Sequence, residues 1–467
     1  MPTPSSPYAI HNVRMFIAFK CFFNARFYYP IFTILFLDFG LTVSQFALLN
    51  AVWAATIVIM EVPSGALADI WGRRNLLILA GGLMVFEILI LCLAPRNRLD
   101  LLFGLFILNR VLSGIAEAAA SGADEAMAFD ALKQAGQEKE WGRVLSTQMR
   151  LQSLAYIVAM SLGAAVYDPV FMQRVFDALG IGITFSRDIT IRIPLVLTFM
   201  MSLLTFMTTL RMQDDRISDE ECGVVEQCGA SAKNIWIQTI DAGKWIVRTP
   251  FALVIICAGL LFDGIIRMVI TLSSQYYRVI EIPEAVFGLI GAGIAGLGLF
   301  LPHMALKMSE QYTPRFNLSM LAVMTITGLY GMSLFIPIAG LVPAVVLFSA
   351  MYMTGFFVSN YLNRITASSR RATVLSFKGL SFNLSYGLLG ILYSVLLAGM
   401  RPEIAANHSD VQPLILENMV FMGSFKWFLW AFLGGLVVFL VFSVVKLKST
   451  NVHQQVAPEK HKHTDGM

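Results

Sequence analysis

Two arginines stand in the middle of long apolar stretches, where a charged side chain is costly. Arg26 lies within Phe22–Pro30 and Arg267 within Phe262–Met268. A charge at the centre of a membrane helix costs about 2.5–3.5 kcal/mol on insertion scales, so it faces a cavity or a partner. Two facing guanidinium groups could bind a bidentate anion such as a carboxylate or a phosphate.

Internal pairing is the alternative for both arginines. Asp263 precedes Arg267 by four residues, a spacing that places the two side chains on one helix face. The acids available to Arg26 are Glu61, Glu87 and Glu117. An excess of acids within the apolar stretches favours such pairing.

A second set of polar residues recurs every three or four positions. Its members are Arg110, Gly114, Glu117, Ser121 and Asp124. This spacing predicts one face of one helix, directed into the protein. Carboxyl groups removed from water can bind and release protons near neutral pH, so Glu117, Asp124 and Asp263 are candidate proton-coupling residues. The alternative is a static ion pair of Arg110 with Glu117 or with an acid of a neighbouring span.

Neutral polar residues extend the candidate substrate site, whereas no pattern for a metal or a cofactor is found. Asn24 stands two residues before Arg26, and Asn360 belongs to a polar stripe with Thr354, Ser359 and Asn363. The five cysteines have no metal-ligand spacing. Motifs of metalloproteases, phosphate-binding loops and nucleophile elbows are also absent from the sequence, so neither catalysis nor a cofactor is expected.

The elements that position these residues are membrane spans. The chain is 57% hydrophobic and 14% charged, against about 25% charged in soluble proteins. Its net charge of +4 is attributed to basic loops at an anionic membrane surface, so no nucleic-acid partner is expected. Twelve spans are predicted, at 13–37, 44–66, 75–94, 100–122, 145–166, 190–210, 250–273, 285–306, 317–336, 341–362, 374–398 and 420–446.

Charge asymmetry between the loops predicts the orientation. Eleven lysines and arginines fall in short loops on the side of the termini, against six on the other side. This asymmetry predicts that both termini lie on the cytoplasmic side of a bacterial inner membrane. The predicted division is a tail at 1–12, a six-helix bundle at 13–210, a central loop at 211–249, a second bundle at 250–446 and a tail at 447–467. Within the central loop, residues 233–248 have the pattern of an amphipathic helix on the membrane surface.

The two predicted bundles are related by a constant offset of 241 residues. Adding 241 carries Arg26 onto Arg267 and Asp69 onto Glu310. The remaining pairs are Phe46 with Phe287, Leu48 with Leu289, Arg74 with Arg315, and Gly114 with Gly355. An internal repeat of this kind brings equivalent residues to opposite walls of a central cavity.

The loop between spans two and three carries a family resemblance. Gly65–Arg74 (GALADIWGRR) resembles the G-x-L-a-D-r-x-G-r-k motif of the major facilitator superfamily, departing at Ile70. Arg110–Gly114 resembles the arginine-and-glycine motif of the family's fourth helix. The resemblance implies an all-α membrane protein of twelve transmembrane helices, arranged as two pseudo-symmetric six-helix bundles. It also implies a secondary transporter rather than an enzyme.

The resemblance assigns a conformational role to this loop. Its members are Gly65, Asp69, Gly72, Arg73 and Arg74. In the family, the carboxylate of the motif meets a helix end of the second half, and a basic residue pairs with an acid at the end of helix four, here Asp130. The loop would then act as a latch on the outward-facing state. The alternative is that Arg73 and Arg74 only anchor the topology.

Two transport functions follow. The first is alternating-access transport of a small organic anion, coupled to protons, with Arg26 and Arg267 placed like the substrate-clamping arginines of the family's organophosphate antiporters. The second is proton-coupled efflux of drugs or toxic metabolites, in which Glu117 or Asp124 carries the proton and the arginines are structural. Within helix five, Ser161–Tyr167 has a glycine but no proline, which counts against the drug/proton antiporter class. The expected partners are the solute, protons and the bilayer, and the chain is expected to be a monomer.

Overall fold

The computed structural model describes residues 6–96, 98–213, 232–366, 371–408 and 411–448. The acidic half of the predicted central loop, 214–231, and the tail beyond residue 448 lie outside these ranges. Within them, eleven helical stretches are long and apolar enough to cross a bilayer. The remaining predicted span, the first, consists of two shorter helices.

The described part of the first half contains ten α-helices. They are α1 (His11–Asn24), α2 (Phe32–Asp38), α3 (Val43–Trp71), α4 (Arg73–Leu93), α5 (Leu99–Ala120), α6 (Ala123–Gln134), α7 (Trp141–Tyr167), α8 (Pro169–Ala178), α9 (Arg187–Thr190) and α10 (Ile193–Arg211). After α11 (Ala232–Arg248), the second half contains α12 (Pro250–Thr271), α13 (Ser273–Val279), α14 (Phe287–Gln311), α15 (Pro314–Ser333), α16 (Leu341–Ile365), α17 (Arg371–Asn407) and α18 (Pro413–Lys448). We call the side where α1 begins and α18 ends the terminal face, and the opposite side the far face.

The boundaries of corresponding helices follow the predicted repeat. Shifting α4 by 241 gives 314–334, and α15 is Pro314–Ser333. Shifting α5 gives 340–361, and α16 is Leu341–Ile365. Equivalent residues also meet directly, because the backbone N of Thr33 donates at 3.0 Å to Ser274 Oγ, which is one offset of 241 further along the chain. The two halves are therefore related by a pseudo-two-fold axis that passes close to this contact.

The first span is broken at its middle, where a continuous helix was predicted. α1 ends at Asn24, and Ala25 leaves helical geometry with φ −80° and ψ 70°. A contact with α10 stabilises the break, because the backbone N of Phe27 donates to Thr198 Oγ1 at 3.0 Å. Gly163 of α7 is required there, because a Cβ at this position would lie 1.8 Å from the Phe27 carbonyl oxygen. Broken helices at mid-membrane are a common way to build transporter sites.

The fourth span is also broken, which corrects the prediction of one continuous helical face. α5 ends at Ala120, and Gly122 adopts the left-handed region with φ 76° before α6 begins. Ser121 and Asp124 thus lie beyond the helix that carries Glu117. The three side chains still reach one cavity, because the turn at Gly122 redirects α6 along its wall.

The two halves pack tightly near the far face. Gly390 of α17 lies against α3, where its Cβ position is 3.1 Å from the Ala47 carbonyl oxygen. Gly288 of α14 lies against α7, where a Cβ would be 2.0 Å from the Met160 carbonyl oxygen. Further along α14, Gly293 has no heavy atom within 4 Å of its Cβ position. Two close approaches of the halves, at Gly288 and Gly390, therefore lie on the far side of these helices.

The helix α11 occupies the predicted amphipathic segment on the terminal face. Gly243 packs on the Phe377 ring of α17, and Ile246 is buried. Ile237, Ile240 and Val247 remain exposed. An exposed apolar face of this kind fits a helix lying on a membrane surface.

Candidate functional site

A cavity of about 430 Å³ lies between the halves, nearer the terminal face. Four acids line it, namely Glu61, Glu117, Asp124 and Glu125. Its other polar residues are Lys20, Asn24, Ser121, Gln152 and Asn383, and its aromatic residues are Phe19, Phe23 and Trp53. Of the predicted substrate-binding and proton-coupling residues, Asn24, Glu117 and Asp124 stand on this wall, whereas Arg26, Asp263, Arg267 and Asn360 do not.

One acid of the cavity is neutralised by the single lysine on its wall. Lys20 Nζ lies 2.6 Å from Asp124 Oδ2 and 3.8 Å from Glu125 Oε1. Asp124 also accepts from the backbone N of Glu125 at 2.7 Å, at the beginning of α6. Among the described residues, no cation lies within ion-pair distance of Glu61 or Glu117. The cavity therefore holds more negative than positive charge when its carboxyl groups are ionised.

The side chain of Arg26 is buried inside the first half. Its Nη1 lies 2.8 Å from Glu87 Oε1 of α4, and both side chains are at most 3% exposed. The same Nη1 donates to the Tyr28 hydroxyl at 3.2 Å. Of the three acids considered from the sequence, the structure pairs Arg26 with Glu87. The break between α1 and α2 thus positions an internal ion pair away from the cavity.

Arg267 is paired but remains accessible. Its Nη2 lies 2.7 Å from Asp263 Oδ2, the intrahelical pairing considered from the sequence. Its Nη1 donates to Asn383 Oδ1 at 3.0 Å, and Asn383 is on the cavity wall. The Arg267 side chain is 27% exposed, against 3% for Arg26. Arg26 and Arg267 are therefore equivalent positions of the repeat, but only Arg267 is accessible from outside the protein interior.

Arg110 is buried without a carboxylate partner. Its guanidinium lies 4.8 Å from the ring centroid of Phe32 and 4.9 Å from that of Phe36. It is 4% exposed, and no described residue accepts a hydrogen bond from its Nε or Nη2. The pair with Glu117 that the sequence allowed is not formed. Gly114, one turn further on, lets α5 approach Thr56 of α3, where a Cβ would be 2.8 Å from the Thr56 Cβ.

A network of charged residues joins the halves at the far face; we call it the far-face ion cluster. Arg278 binds Asp38 through two hydrogen bonds of 2.8 Å and lies 2.8 Å from Glu284. Arg187 lies 2.6 Å from Glu284 and 3.6 Å from Asp38. The Tyr167 hydroxyl donates to Asp38 at 2.6 Å. Two acids and two arginines therefore balance one another across the interface.

The electrostatics of this cluster keep its arginines charged. Burial of Arg278 opposes the charged form, but the hydrogen bonds and the negative charge of Asp38 outweigh burial and raise its pKa well above the ordinary value. In the sequence, Arg187 and Arg278 were interpreted only as loop charges. The missed signal was their position at span ends, together with Asp38 at the end of the first span.

The predicted latch loop is mostly helical. α3 continues to Trp71, so Gly65 and Asp69 are helical and Gly72 alone, with φ 91°, breaks the chain before α4. Arg73 forms an ion pair with Asp130 of α6. Arg74 donates to the Met212 carbonyl oxygen at 2.6 Å. These partners all belong to the first half, and the side chain of Asp69 lies outside the described part of the structure.

Comparisons with known proteins agree with this architecture. The model of the Major Facilitator Superfamily matches residues 14–391, so the chain belongs to this family. No curated protein sequence matches it. The members of the family are transporters, and the chain is accordingly a multi-pass transporter of small molecules rather than an enzyme.

Solved structures share the fold at low sequence identity. The chain resembles a mutant form of the nucleoside transporter NupG with TM-score 0.65 and 13% identity over 94% of this chain and 100% of that one. It resembles an inward-facing, occupied bacterial homolog of the human lysosomal transporter Spinster with TM-score 0.65 and 15% identity over 97% and 100%. A D-xylose-proton symporter gives TM-score 0.60 and 11% identity over 90% and 97%. At these identities the likeness establishes the fold alone.

Proposed function

We propose that this chain is a proton-coupled secondary transporter that moves a small organic anion by alternating access. The observation that carries the proposal is a cavity between the halves. Two of its acids, Glu61 and Glu117, have no ion pair among the described residues, and the accessible Arg267 borders it through Asn383. The D-xylose-proton symporter, by its name, is a protein of this fold that couples transport to protons.

Alternating access is supported by the asymmetry between the two ends of the interface. The far-face ion cluster and the contacts at Gly288 and Gly390 close one end, while the cavity lies toward the other. We place both termini in the cytoplasm because of the excess of lysine and arginine in the loops of that side. On this orientation, the structure is the conformation that is closed to the outside.

Proton coupling is supported by the charge balance of the cavity. An unpaired carboxylate in a cavity removed from bulk water is unfavourable, and a proton is the smallest partner that neutralises it. Protonation of Glu61 and Glu117 also removes the negative charge that repels an incoming anion. Protons and an anion would therefore occupy the cavity together, which favours symport.

The anion is assigned to Arg267 rather than to a clamp that includes Arg26. A proton on Asp263 would weaken its hold on Arg267 and leave the guanidinium for a carboxylate or phosphate of the solute. Asn383, which already accepts from Arg267, would guide the solute from the cavity wall. Arg26 is committed to Glu87 and serves to hold the break in the first span.

The second function, proton-coupled efflux of drugs or toxic metabolites, has its own support. Both arginines are paired in the structure, and Phe19, Phe23 and Trp53 give the cavity an aromatic wall. A lipophilic cation would fit these rings and the excess of acids. The choice between the functions depends on the charge of the solute that binds.

A ligand screen followed by transport assays tests the proposal. Thermal shifts of the purified protein with organic carboxylates, organic phosphates and lipophilic cations select the solute. In proteoliposomes, Glu117→Gln is expected to reduce proton-driven accumulation of that solute at least about tenfold and to preserve exchange at equal concentration, because an amide cannot carry a proton. The matched control is Glu125→Gln, since Glu125 lies on the same wall and is 51% exposed.

Two results would contradict the proposal. Stabilisation by lipophilic cations alone would favour efflux over anion transport. Accumulation by the Glu117→Gln protein at the wild-type rate, with an unchanged dependence on the proton gradient, would remove Glu117 from the coupling step.

A further inference from the structure

The guanidinium of Arg110 is a buried charge that the rest of the described chain does not neutralise. It lies between Phe32 and Phe36, is 4% exposed, and has two nitrogens without an acceptor among the described residues. An arginine stays protonated in proteins, so Arg110 cannot lose its charge as a buried carboxyl group can. Charged residues within membrane spans otherwise pair with one another or with backbone carbonyls.

The aromatic rings satisfy only part of this requirement. The faces of Phe32 and Phe36 attract a cation electrostatically, and both centroids are within the distance at which that attraction acts. Ring faces do not accept the directed hydrogen bonds that Nε and Nη2 offer. The parallel edge of a guanidinium is suited to the two oxygens of a carboxylate or a phosphate.

The acids near Arg110 either form ion pairs with other arginines or face the cavity. Glu87, on the neighbouring α4, is bound by Arg26. Asp263, in the second half, is bound by Arg267. Glu117, two turns further along α5, faces the cavity on the terminal side. A partner for Arg110 must therefore come from outside the described chain.

The second half places a polar group and another positive charge near the segment that covers Arg110. Tyr386 of α17 is buried, and its hydroxyl lies 3.1 Å from Thr271 Oγ1. Thr271 also contacts the first half, because Thr33 Oγ1, next to the Phe32 that covers Arg110, donates to the Thr271 carbonyl oxygen at 2.7 Å. The Arg267 guanidinium also lies 5.8 Å from the Tyr386 ring centroid. Tyr386 thus lies beside Arg267, where the second half meets the segment that covers Arg110.

We propose that Arg110 binds the anionic group of the transported solute, together with Arg267 and the Tyr386 hydroxyl from the opposite half. The ligand is a small molecule that carries a carboxylate or a phosphate. This inference rests on the proposed anion transport. It assigns the anion-binding arginine of the first half to Arg110, whereas the offset of 241 residues would assign it to Arg26. Binding across the interface also explains how an anion can draw the two halves together.

Direct binding measurements on the purified full-length protein test the inference. Titrations use three probes, namely chloride, inorganic phosphate and succinate, in a buffer whose resident anion is a bulky sulfonate. The variants are Arg110→Gln, Arg110→Lys and, as a matched loss of positive charge, Arg150→Gln on the exposed side of α7. We expect Arg110→Gln to weaken binding of phosphate or succinate by about 10- to 100-fold, as for loss of a charge-assisted hydrogen bond. Arg110→Lys should lose less, and Arg150→Gln should match wild type.

The thermal melting temperature without added anion separates binding from folding. Arg110→Gln removes an unneutralised charge, so its melting temperature should equal or exceed that of wild type, whereas a purely structural Arg110 would make the variant less stable. Wild-type affinity of Arg110→Gln for all probes would overturn the inference. Loss of chloride binding alone, with solute exchange in proteoliposomes unchanged, would also overturn it by making the ligand an inorganic ion.

The inference and the proposed function can fail independently. Absence of proton-driven accumulation, with anion binding that still depends on Arg110, would reject the coupling and keep the binding site. Proton-coupled transport that survives in Arg110→Gln would keep the function and reject the site.

Discussion

The far-face ion cluster and the central cavity both contain several charged side chains, but only the far-face ion cluster has equal numbers of acids and bases. At the far face, Asp38 and Glu284 are matched by Arg187 and Arg278 at ion-pair distances of 2.6 to 3.6 Å. In the cavity, four acids share a wall with one lysine, Lys20. A balanced cluster stabilises one arrangement of the two halves, whereas an unbalanced one attracts protons or ligands.

The difference is one of position relative to the two halves. The far-face cluster bridges them, with Asp38 and Arg187 on one side and Arg278 and Glu284 on the other. The Lys20–Asp124 pair lies entirely within the first half. Separation of the halves at the far face would therefore break ion pairs, whereas the Lys20–Asp124 pair would stay intact. Substitutions in the two regions should accordingly change different properties, namely closure at the far face and ligand affinity in the cavity.

The largest effect is expected from blocking the far-face contact by steric means. Gly288→Val would place side-chain atoms on the Met160 backbone, so the closed far face should no longer form. Gly293→Val is the control on the same helix, because its Cβ position is free. Spin labels at Val170→Cys and Val342→Cys, both exposed far-face positions, report the separation by pulsed electron resonance in a background without the native cysteines. A wild-type distance in the Gly288→Val protein would refute the assignment of this contact as the closure.

A smaller effect is expected from unbalancing the far-face ion cluster. Arg278→Ala leaves Asp38 and Glu284 buried with fewer cations, and loss of one partner of a buried pair costs about 3–5 kcal/mol. The open population measured with the same label pair should then rise by about 100-fold or more. Arg278→Lys should fall between this variant and wild type, since lysine keeps the charge and loses the two-pronged geometry.

The control for the cluster is Arg174→Ala on α8, an exposed arginine of the same face. It removes one positive charge without touching the interface. If Arg174→Ala and Arg278→Ala change the distance distribution equally, general charge at the far face, and not the cluster, sets the closure.

The smallest effect is expected in the cavity, where neutralising one acid should mimic protonation. Asp263→Asn removes the negative charge that holds Arg267, so affinity for the selected anion should rise by about tenfold and lose much of its pH dependence. Isothermal titration at pH 6 and pH 8 measures both quantities. Asp241→Asn on α11, an exposed acid paired with Lys244, is the control. Equal affinity of the Asp263→Asn and wild-type proteins at both pH values would separate Arg267 from anion binding.

Several properties of the protein were determined by the sequence alone, because they depend on local pattern. Apolar length places the spans, and the loop motif around Gly72 with Arg110–Gly114 indicates the family that the comparisons confirm. The offset of 241 survives as nearly identical helix boundaries in α4 and α15. Spacing also predicted the Arg267–Asp263 pair as an alternative, since four residues on a helix form a neighbour relation without tertiary contacts.

Only the tertiary structure decided which charges are free. The choice of Glu87 for Arg26 depends on how α4 packs against a break in the first span, and that break depends on Gly163 and Thr198 from two other helices. In the far-face ion cluster, Asp38 binds Arg278, which lies 240 residues further along the chain. The sequence offers Arg110 an acid two turns away, yet the packing of α2 places aromatic rings against it instead. The pairing of buried charges depends on distances between side chains of different helices. A sequence pattern predicts only distances between residues of the same helix.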